Sequence, residues 1–215
     1  MKLGLIIPYR NREEHLKIFI PIIIQHLKNE NIDYKIIIVN QNNNDLFNKC
    51  ILMNIGAKLL YDDVDYFCFH DVDLIPDSNV SYSMDQKTGC NKDIIHLCSY
   101  VIENRNNFIK NKEFYFGMNF NKYFNLFKSR NFENGILGGV TLIKKEIWQD
   151  NKWNEIFQGW GAEDDEYYYR FNYLKKIDIY ETNYRYISLS HKSNCKPNYK
   201  PNCISKYLQR FIRLK

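Results

Sequence analysis

The sequence predicts an α/β fold with a mainly parallel central sheet flanked by helices. Two observations support that class. Short apolar runs alternate with stretches of helical periodicity through the first 70 residues. The polar turns behind those runs fall where a parallel sheet with right-handed crossovers places the carboxyl ends of its strands. At 215 residues the chain has room for one full domain and for no second large one.

Leu3 to Ile7 reads as a buried strand ending at Pro8, with Tyr9, Arg10, Asn11 and Arg12 as the polar turn behind it. Leu16, Ile20, Ile23, Ile24 and Leu27 recur at helical spacing, and Pro21 is expected to kink or split that helix. Tyr34 to Val39 is a second strand, and Asn40 to Asp45 a polar loop. Phe47, Ile51, Leu52, Ile55 and Leu59 form a second helical stripe, and Tyr66 to Phe69 a third strand. Beyond it the pattern is less regular. Ile94 to Cys98, Gly139 to Ile143 and Tyr184 to Leu189 read as strands, Asp164 to Leu174 as a short helix, and the tail from Ile204 as another helix. The Asn- and Phe-rich stretch 104–134 carries no readable period.

A formal charge of +5 invites anionic partners without naming one, and 45% hydrophobic with 16% aromatic residues is a globular composition. The basic residues are dispersed and are not interleaved with aromatics as in a nucleic-acid-binding module, so nucleic acid is excluded as a partner. The six cysteines contain no CxxC pair, and Cys68 and Cys98 lie in apolar runs where a thiol serves as a small hydrophobe. No run reaches the roughly 18 apolar residues of a membrane span, and the apolar part of MKLGLIIPYRNR is too short for a signal peptide. The resulting expectation is a soluble, cytoplasmic chain without a transmembrane segment.

The sharpest local feature is Asp71-Val72-Asp73 behind the third strand. In extended backbone an i, i+2 pair aims both carboxylates one way, as a divalent-metal clamp requires; a solvated turn ahead of Pro76 is the plainer alternative. His191, just beyond the strand ending at Leu189, can close such a site, and oxygen ligands with one imidazole favour Mn2+ over Ca2+. Arg10 and Arg12 suit paired contacts to phosphate or a uracil edge, or belong to a plain solvated turn. No GxGxxG or GxxxxGK[ST] pattern offers another nucleotide site. Gly159-Trp160-Gly161-Ala162-Glu163-Asp164-Asp165 sets a flexible tryptophan before three carboxylates, which are costly together unless they start a helix or serve a site. Adjacent helical residues diverge by about 100°, so Glu163 and Asp164 meet different groups.

Together these patches resemble the β-1,4-galactosyltransferase family, inverting enzymes with a GT-A-like fold that use UDP-galactose or UDP-N-acetylgalactosamine. IIPYRNREEHLK resembles the family's donor-site opening, DLFNKCILMNIG its FNRAxLLNxG segment, FHDVDLIP its metal motif, ILGGVTLI its FGGV segment, and GWGAEDDEYYYR its WGWGxEDDD segment. ISLSHKS follows where the family places its late metal histidine. The resemblance implies one glycosyltransferase domain over 1–215, with a nucleotide-binding half 1–75, a sugar half 76–203 and a C-terminal helix 204–215. It implies that Pro8, Tyr9, Arg10, Arg12 and Phe47 hold the uridine and phosphate end, and that Asp71, Val72 and Asp73 hold uridine and Mn2+, with Asp73 and His191 the direct protein ligands. Ile136 and Gly139 would line the donor sugar, and Trp160 and Gly161 would cover the donor and form the acceptor platform. Glu163 would hydrogen-bond sugar hydroxyls, and Asp164 would be the general base for an acceptor, terminal N-acetylglucosamine at family level.

This chain departs from the family pattern at four positions. Ser188 stands where many relatives have a methionine metal ligand, implying weaker or broader metal selectivity. Ile136 replaces a tyrosine that crowds the sugar C2 substituent, which favours an N-acetylated donor. Lys49 replaces an arginine and Ala162 a glycine. Relatives in eukaryotes are typically Golgi-anchored, and the expectation here is a bacterial or viral relative without the anchor. In the tail, Ile204, Tyr207, Leu208 and Phe211 make an apolar stripe beside Lys206, Arg210 and Arg213, which either closes the core or touches an anionic membrane. The competing classes are a carbohydrate- or nucleotide-sugar-binding module without turnover, and a metal-dependent nucleotidyl or phosphoryl transferase on the same sheet.

Overall fold

The computed structural model describes residues 1–85, 92–103, 129–131, 137–159 and 161–189. Strand β1 (Lys2–Tyr9) lies at the heart of the first half of the chain because both its faces are apolar. Leu3, Leu5 and Ile7 enter one core, and Ile6 enters a second on the opposite face. Parallel neighbours flank it. Strand β2 (Asp33–Asn40) runs from Asp33 opposite Lys2 to Asn40 opposite Tyr9, and β3 (Tyr66–His70) pairs Tyr66 with Leu3 through Phe69 with Ile6. β1 extends through Pro8 rather than stopping before it. Past Ile6 only β2 still pairs with β1, so a residue without an N–H is tolerated there.

Helix α1 (Glu13–Asn29) packs on the first core through Phe19, Ile22, Ile23 and Leu27, and it is one helix. Pro21 does not split it. The fully buried Phe19 and Ile23 on either side anchor both turns against the sheet, which outweighs the roughly 3 kcal/mol an interior proline costs. Helix α2 (Lys49–Leu60) covers the other face and is capped by Asn48, whose side chain accepts the Ile51 N–H at 3.0 Å. Its face on the second core is Cys50, Met53, Ala57 and Leu60; of the predicted stripe Leu52 is buried, but Ile55 and Leu59 are 43% and 64% exposed. Gly56 is the cause. A Cβ there would sit 2.5 Å from Ile6 Cγ2, so the helix presents its small residues to the sheet and approaches closely.

Beyond β3 the sheet changes direction. Strand β8 (Val140–Lys144) is antiparallel to β3, β5 (Ile94–His96) is antiparallel to β8, and β9 (Ile179–Glu181) is parallel to β5. The order β2-β1-β3-β8-β5-β9 is a mixed, largely parallel sheet with helices on its faces. A second sheet, absent from the sequence reading, has the order β4-β10-β6-β7, formed by β4 (Leu74–Pro76), β10 (Arg185–Ser188), β6 (Tyr100–Glu103) and β7 (Ser129–Asn131). Helix α3 (Lys145–Asp150) follows β8, and α4 (Glu163–Tyr169) runs on into a π-helical stretch, Arg170–Lys175. Cys50, Cys68 and Cys98 are buried free thiols. No helix among the described residues is long and apolar enough to cross a membrane. The predicted helix from Ile204 and most of 104–134 lie outside the described residues.

Candidate active site

Asp71 and Asp73 are presented by a turn, not by the extended backbone the spacing argument assumed. The Leu74 N–H returns to the Asp71 carbonyl at 3.3 Å, closing the turn where β3 passes into β4. Two outside tethers hold it. The Asp71 N–H donates to the Gly139 carbonyl at 2.9 Å, and the Leu189 N–H donates to the Asp73 carbonyl at 2.7 Å. The second tether lays the end of β10 along the turn, with Ser188 registered opposite Leu74. His191 lies two residues further on, outside the described residues, as do Ile136 and Trp160. The Val72 side chain is buried in the first core.

The segment Leu137–Gly139 is where the two acidic motifs meet. Its Leu137 N–H donates to the Asp164 carbonyl at 3.4 Å, its Gly138 carbonyl lies 3.0 Å from His96 Nε2, and its Gly139 carbonyl holds Asp71. Gly139 has φ +77°, and a Cβ there would sit 2.9 Å from both Cys98 Sγ and Leu74 Cδ1, so the crossing requires glycine. The start of α4 is shaped by three successive positive-φ positions among the described residues: Gly159 at 84°, Gly161 at 104° and Ala162 at 73°. The Gly159 N–H donates to the Phe47 carbonyl at 2.8 Å, and Asn48 Nδ2 donates to the Glu155 carbonyl at 2.8 Å, so the approach to α4 is clasped to the start of α2.

One buried ammonium spans the site. Lys49 Nζ lies 2.9 Å from Asp71 Oδ1 and 3.6 Å from Asp164 Oδ1, joining the turn after β3 to the start of α4. Asp164 Oδ1 is buried and makes no hydrogen bond. Burial works against the Lys49 charge, but Asp164, Asp71 and Glu163 hold its pKa well above the usual lysine range. The carboxylates respond in the opposite sense. Burial pushes the Asp71 carboxyl up, Lys49 opposes this, and Asp73 and Asp164 add to it. Glu163 is likewise pushed up by burial and by Asp164, with Lys49 opposing. Among the described residues Lys49 is the cation set between Asp71 and Asp164, and Glu163 adds to the charge that holds it protonated.

The residues expected to hold a nucleotide gather at the ends of β1 and β2. Arg10 Nη1 donates to the Asp45 carbonyl at 2.6 Å, and its guanidinium lies 5.2 Å over the Phe47 ring. The Gln41 N–H donates to the Tyr9 carbonyl at 3.0 Å, and Gln41 Oε1 accepts the Asn48 N–H at 2.8 Å. A cavity of about 470 Å³ opens at the start of α1, lined by Asn11, Arg12, Glu13, Glu14 and His15.

Residues 1–84 match the profile of the N-terminal region of glycosyl transferase group 7, and residues 119–192 match that of the N-terminal domain of galactosyltransferase. The chain belongs to glycosyltransferase group 7, the β-1,4-galactosyltransferase family. This group 7 chain is 33% identical over 178 residues to beta-N-acetyl-D-glucosaminide beta-1,4-N-acetylglucosaminyl-transferase of Lymnaea stagnalis, covering 81% of the chain and 31% of that protein. It is 32% identical over 174 residues to beta-1,4-galactosyltransferase 1 of Bos taurus, covering 79% and 36%. The chain thus spans 31% and 36% of the length of these two curated relatives.

Among solved structures, the catalytic domain of Drosophila beta-1,4-galactosyltransferase 7 in complex with xylobiose superposes with a TM-score of 0.72 at 22% identity, covering 97% of the chain and 79% of that one. A mutant of the same protein, solved with manganese, UDP-Gal and xylobiose, gives a TM-score of 0.71. At that identity the likeness shows the fold, which is GT-A-like. The relatives correct one expectation. The curated relatives are eukaryotic, among them beta-1,4-galactosyltransferase 1 of Bos taurus, Mus musculus and Homo sapiens, and not bacterial or viral proteins, so the cytoplasmic assignment is withdrawn.

Of the sequence-predicted residues, the structure brings Asp71, Asp73, Gly139, Glu163 and Asp164 together, and it sets Arg10 and Phe47 side by side at the edge. Sequence reasoning treated Lys49 as a mild substitution and passed over His96 and Gly138. A signal for Lys49 existed. It is the first residue of α2, where a cation opposes the helix dipole and where no acidic residue stands in the first turn.

Proposed function

We propose that the chain is an inverting, metal-dependent glycosyltransferase that moves galactose or N-acetylgalactosamine from a UDP-sugar to a hydroxyl of terminal N-acetylglucosamine, in β-1,4 linkage. The observation that supports it is the Lys49 bridge, which puts the Asp71-Val72-Asp73 turn and the Glu163-Asp164 helix start in one pocket. Asp164, with a buried oxygen that lacks a hydrogen-bond donor, is the general base. It takes the proton from the acceptor hydroxyl as that oxygen bonds to the anomeric carbon and the bond from that carbon to the UDP oxygen breaks. Glu163 orients sugar hydroxyls, and Trp160 with Gly161 supplies the acceptor platform. Ile136 and Gly139 line the donor sugar. Pro8, Tyr9, Arg10, Arg12 and Phe47 hold the nucleotide, with the two guanidinium groups facing the negative charge that grows on the diphosphate.

Among the described residues no three His, Cys, Asp or Glu side chains are grouped as a metal site. What favours a divalent cation is the hard-oxygen chemistry of Asp73 and the raised carboxyls of Asp71 and Glu163, which a bound cation would relieve. Asp73 and His191 would hold Mn2+, and Ser188 at the end of β10 is placed beside the same turn. The bound ion would supply Lewis-acid charge to the departing diphosphate.

A matrix of UDP-Gal, UDP-GalNAc and UDP-GlcNAc against N-acetylglucosamine, xylose and glucose acceptors, with Mn2+, tests this reading. UDP-GlcNAc is included because the Lymnaea relative is named for N-acetylglucosaminyl transfer. Transfer from UDP-Gal or UDP-GalNAc to N-acetylglucosamine is expected. UDP-sugar binding with transfer to none of the acceptors would replace the enzyme by a binding module.

A further inference from the structure

His70 is a buried titratable residue that the reaction above leaves unused, and it sits directly before the acidic turn. It is 1% exposed, and Tyr82 and Tyr186 beside it are fully buried. His70 Nδ1 lies 2.8 Å from the Asp71 carbonyl, His70 Nε2 lies 2.8 Å from the Tyr82 hydroxyl, and the Tyr186 hydroxyl donates to the Tyr82 oxygen at 3.3 Å. The His70 and Tyr82 rings stack at 5.8 Å and 17°.

The direction of this chain follows from its ends. A carbonyl only accepts, so Nδ1 carries the proton that Asp71 receives. The Tyr186 O–H donates to the Tyr82 oxygen, so the one proton of Tyr82 is left for His70 Nε2, which accepts it. Each link therefore has one donor and one acceptor, and the chain starts on β10 and finishes on the carbonyl that closes the acidic turn. Tyr82 is fixed independently, because its N–H donates to the carboxylate of Glu30, the residue that caps the end of α1, at 3.1 Å.

We propose that Tyr186, Tyr82 and His70 form a positioning relay that sets the acidic turn for metal binding according to the placement of β10. The relay works beside the Leu189–Asp73 tether, so strand and turn are locked at two points: one at the closing carbonyl and one at Asp73. Partners that contact a metal ligand directly commonly change metal affinity about 10–100-fold when removed; the relay acts on the turn that carries Asp73 rather than on the ligand itself, so its loss is expected at or below the lower end of that range. The inference rests on the transferase reading, because it supposes that the turn holds a metal.

The structure also supplies a matched control. The Tyr66 hydroxyl donates to the Tyr82 carbonyl at 3.0 Å in the same core but takes no part in the relay. Mn2+ titration of the full chain in the presence of UDP, with free ion counted by its paramagnetic resonance signal, is run on wild type, Tyr82→Phe, Tyr186→Phe and Tyr66→Phe. Tyr82→Phe is expected to bind Mn2+ about 10-fold more weakly, Tyr186→Phe about 3-fold more weakly, and Tyr66→Phe like wild type. If Tyr82→Phe does not fold, the contrast between Tyr186→Phe and Tyr66→Phe decides. Equal affinity across all the folded variants overturns the relay and leaves the transferase reading standing. Failure of the wild type to hold Mn2+ overturns that reading and the relay with it.

Discussion

The two acidic segments of the site supply the same chemical group on differently built supports. The turn at Asp71 to Asp73 is tied by its own Leu74 closure, by Gly139, by Leu189 and by His70. The Glu163–Asp164 segment begins a short helix entered through Gly159, Gly161 and Ala162 in the left-handed region. A Cβ on Gly161 would meet nothing within 4 Å. Backbone tethers from outside reach it through Leu137 and, upstream, Phe47. The difference teaches a division of labour. Among the described residues the strand-borne turn has the more backbone tethers, which suits the metal and diphosphate proposed for it, and the helix start has fewer, which suits the proposed base that must meet an incoming acceptor.

The largest effect expected from this contrast is on Asp164. Asp164→Asn should lower turnover about 10²- to 10⁴-fold while leaving UDP affinity near wild type, whereas Asp73→Asn should weaken donor and Mn2+ binding first. Steady-state kinetics with separate UDP titrations would show the split. Near-normal turnover by Asp164→Asn would remove the base from the mechanism.

Next comes the group joining the two supports. Lys49→Met strips the ammonium from a pocket of buried carboxylates and should cost about 3 kcal/mol of stability at neutral pH, with Lys49→Arg restoring most of it. The loss should shrink toward pH 5, where protonation of Asp71 and Glu163 relieves the missing charge. Denaturant melts at two pH values check both points, and a pH-independent loss would indicate a packing role alone.

Glu163 gives a smaller effect with a definite sign. Burial and Asp164 push its carboxyl from 4.5 to about 7. The stability it contributes is therefore fully present below its unfolded value and is lost as pH rises through about 7. Without metal or donor, the wild type should lose on the order of 2 kcal/mol between pH 5 and pH 8, and Glu163→Gln should flatten that slope and be the more stable protein at pH 8. Thermal melts across that range test it; parallel slopes would mean that Glu163 stays ionised throughout.

The same contrast explains what was readable in advance. β1, β2 and β3 stood out because each is a contiguous apolar run flanked by polar turns, and the first acidic motif lies where β3 ends. The face of α2 was misread because hydropathy favours Ile55 and Leu59, whereas packing against Ile6 is decided by the missing side chain of Gly56. The second sheet escaped because β4, β6, β7 and β10 have three or four residues each, too few to show a period of two. Pairing through space made Lys49 and His70 important, and neither residue carries that pairing in its own neighbourhood of sequence. The family motifs nevertheless brought Asp71 and Asp164 to one site before any coordinates did.

The smallest expected change tests how lightly the helix start is held. Ala162, at φ 73°, occupies a conformation that costs a residue with a Cβ roughly 1 kcal/mol. Glycine would remove that strain. It would also give up a methyl that is 8% exposed and packed in the second core, about 0.8 kcal/mol, and it would loosen the unfolded chain by about 0.4–1 kcal/mol. The terms nearly cancel, so Ala162→Gly should shift unfolding free energy by less than about 1 kcal/mol, slightly toward instability. A clear stabilisation would show that strain outweighs the methyl, and that the left-handed entry to α4 is held under tension by the α2 clasp rather than resting there.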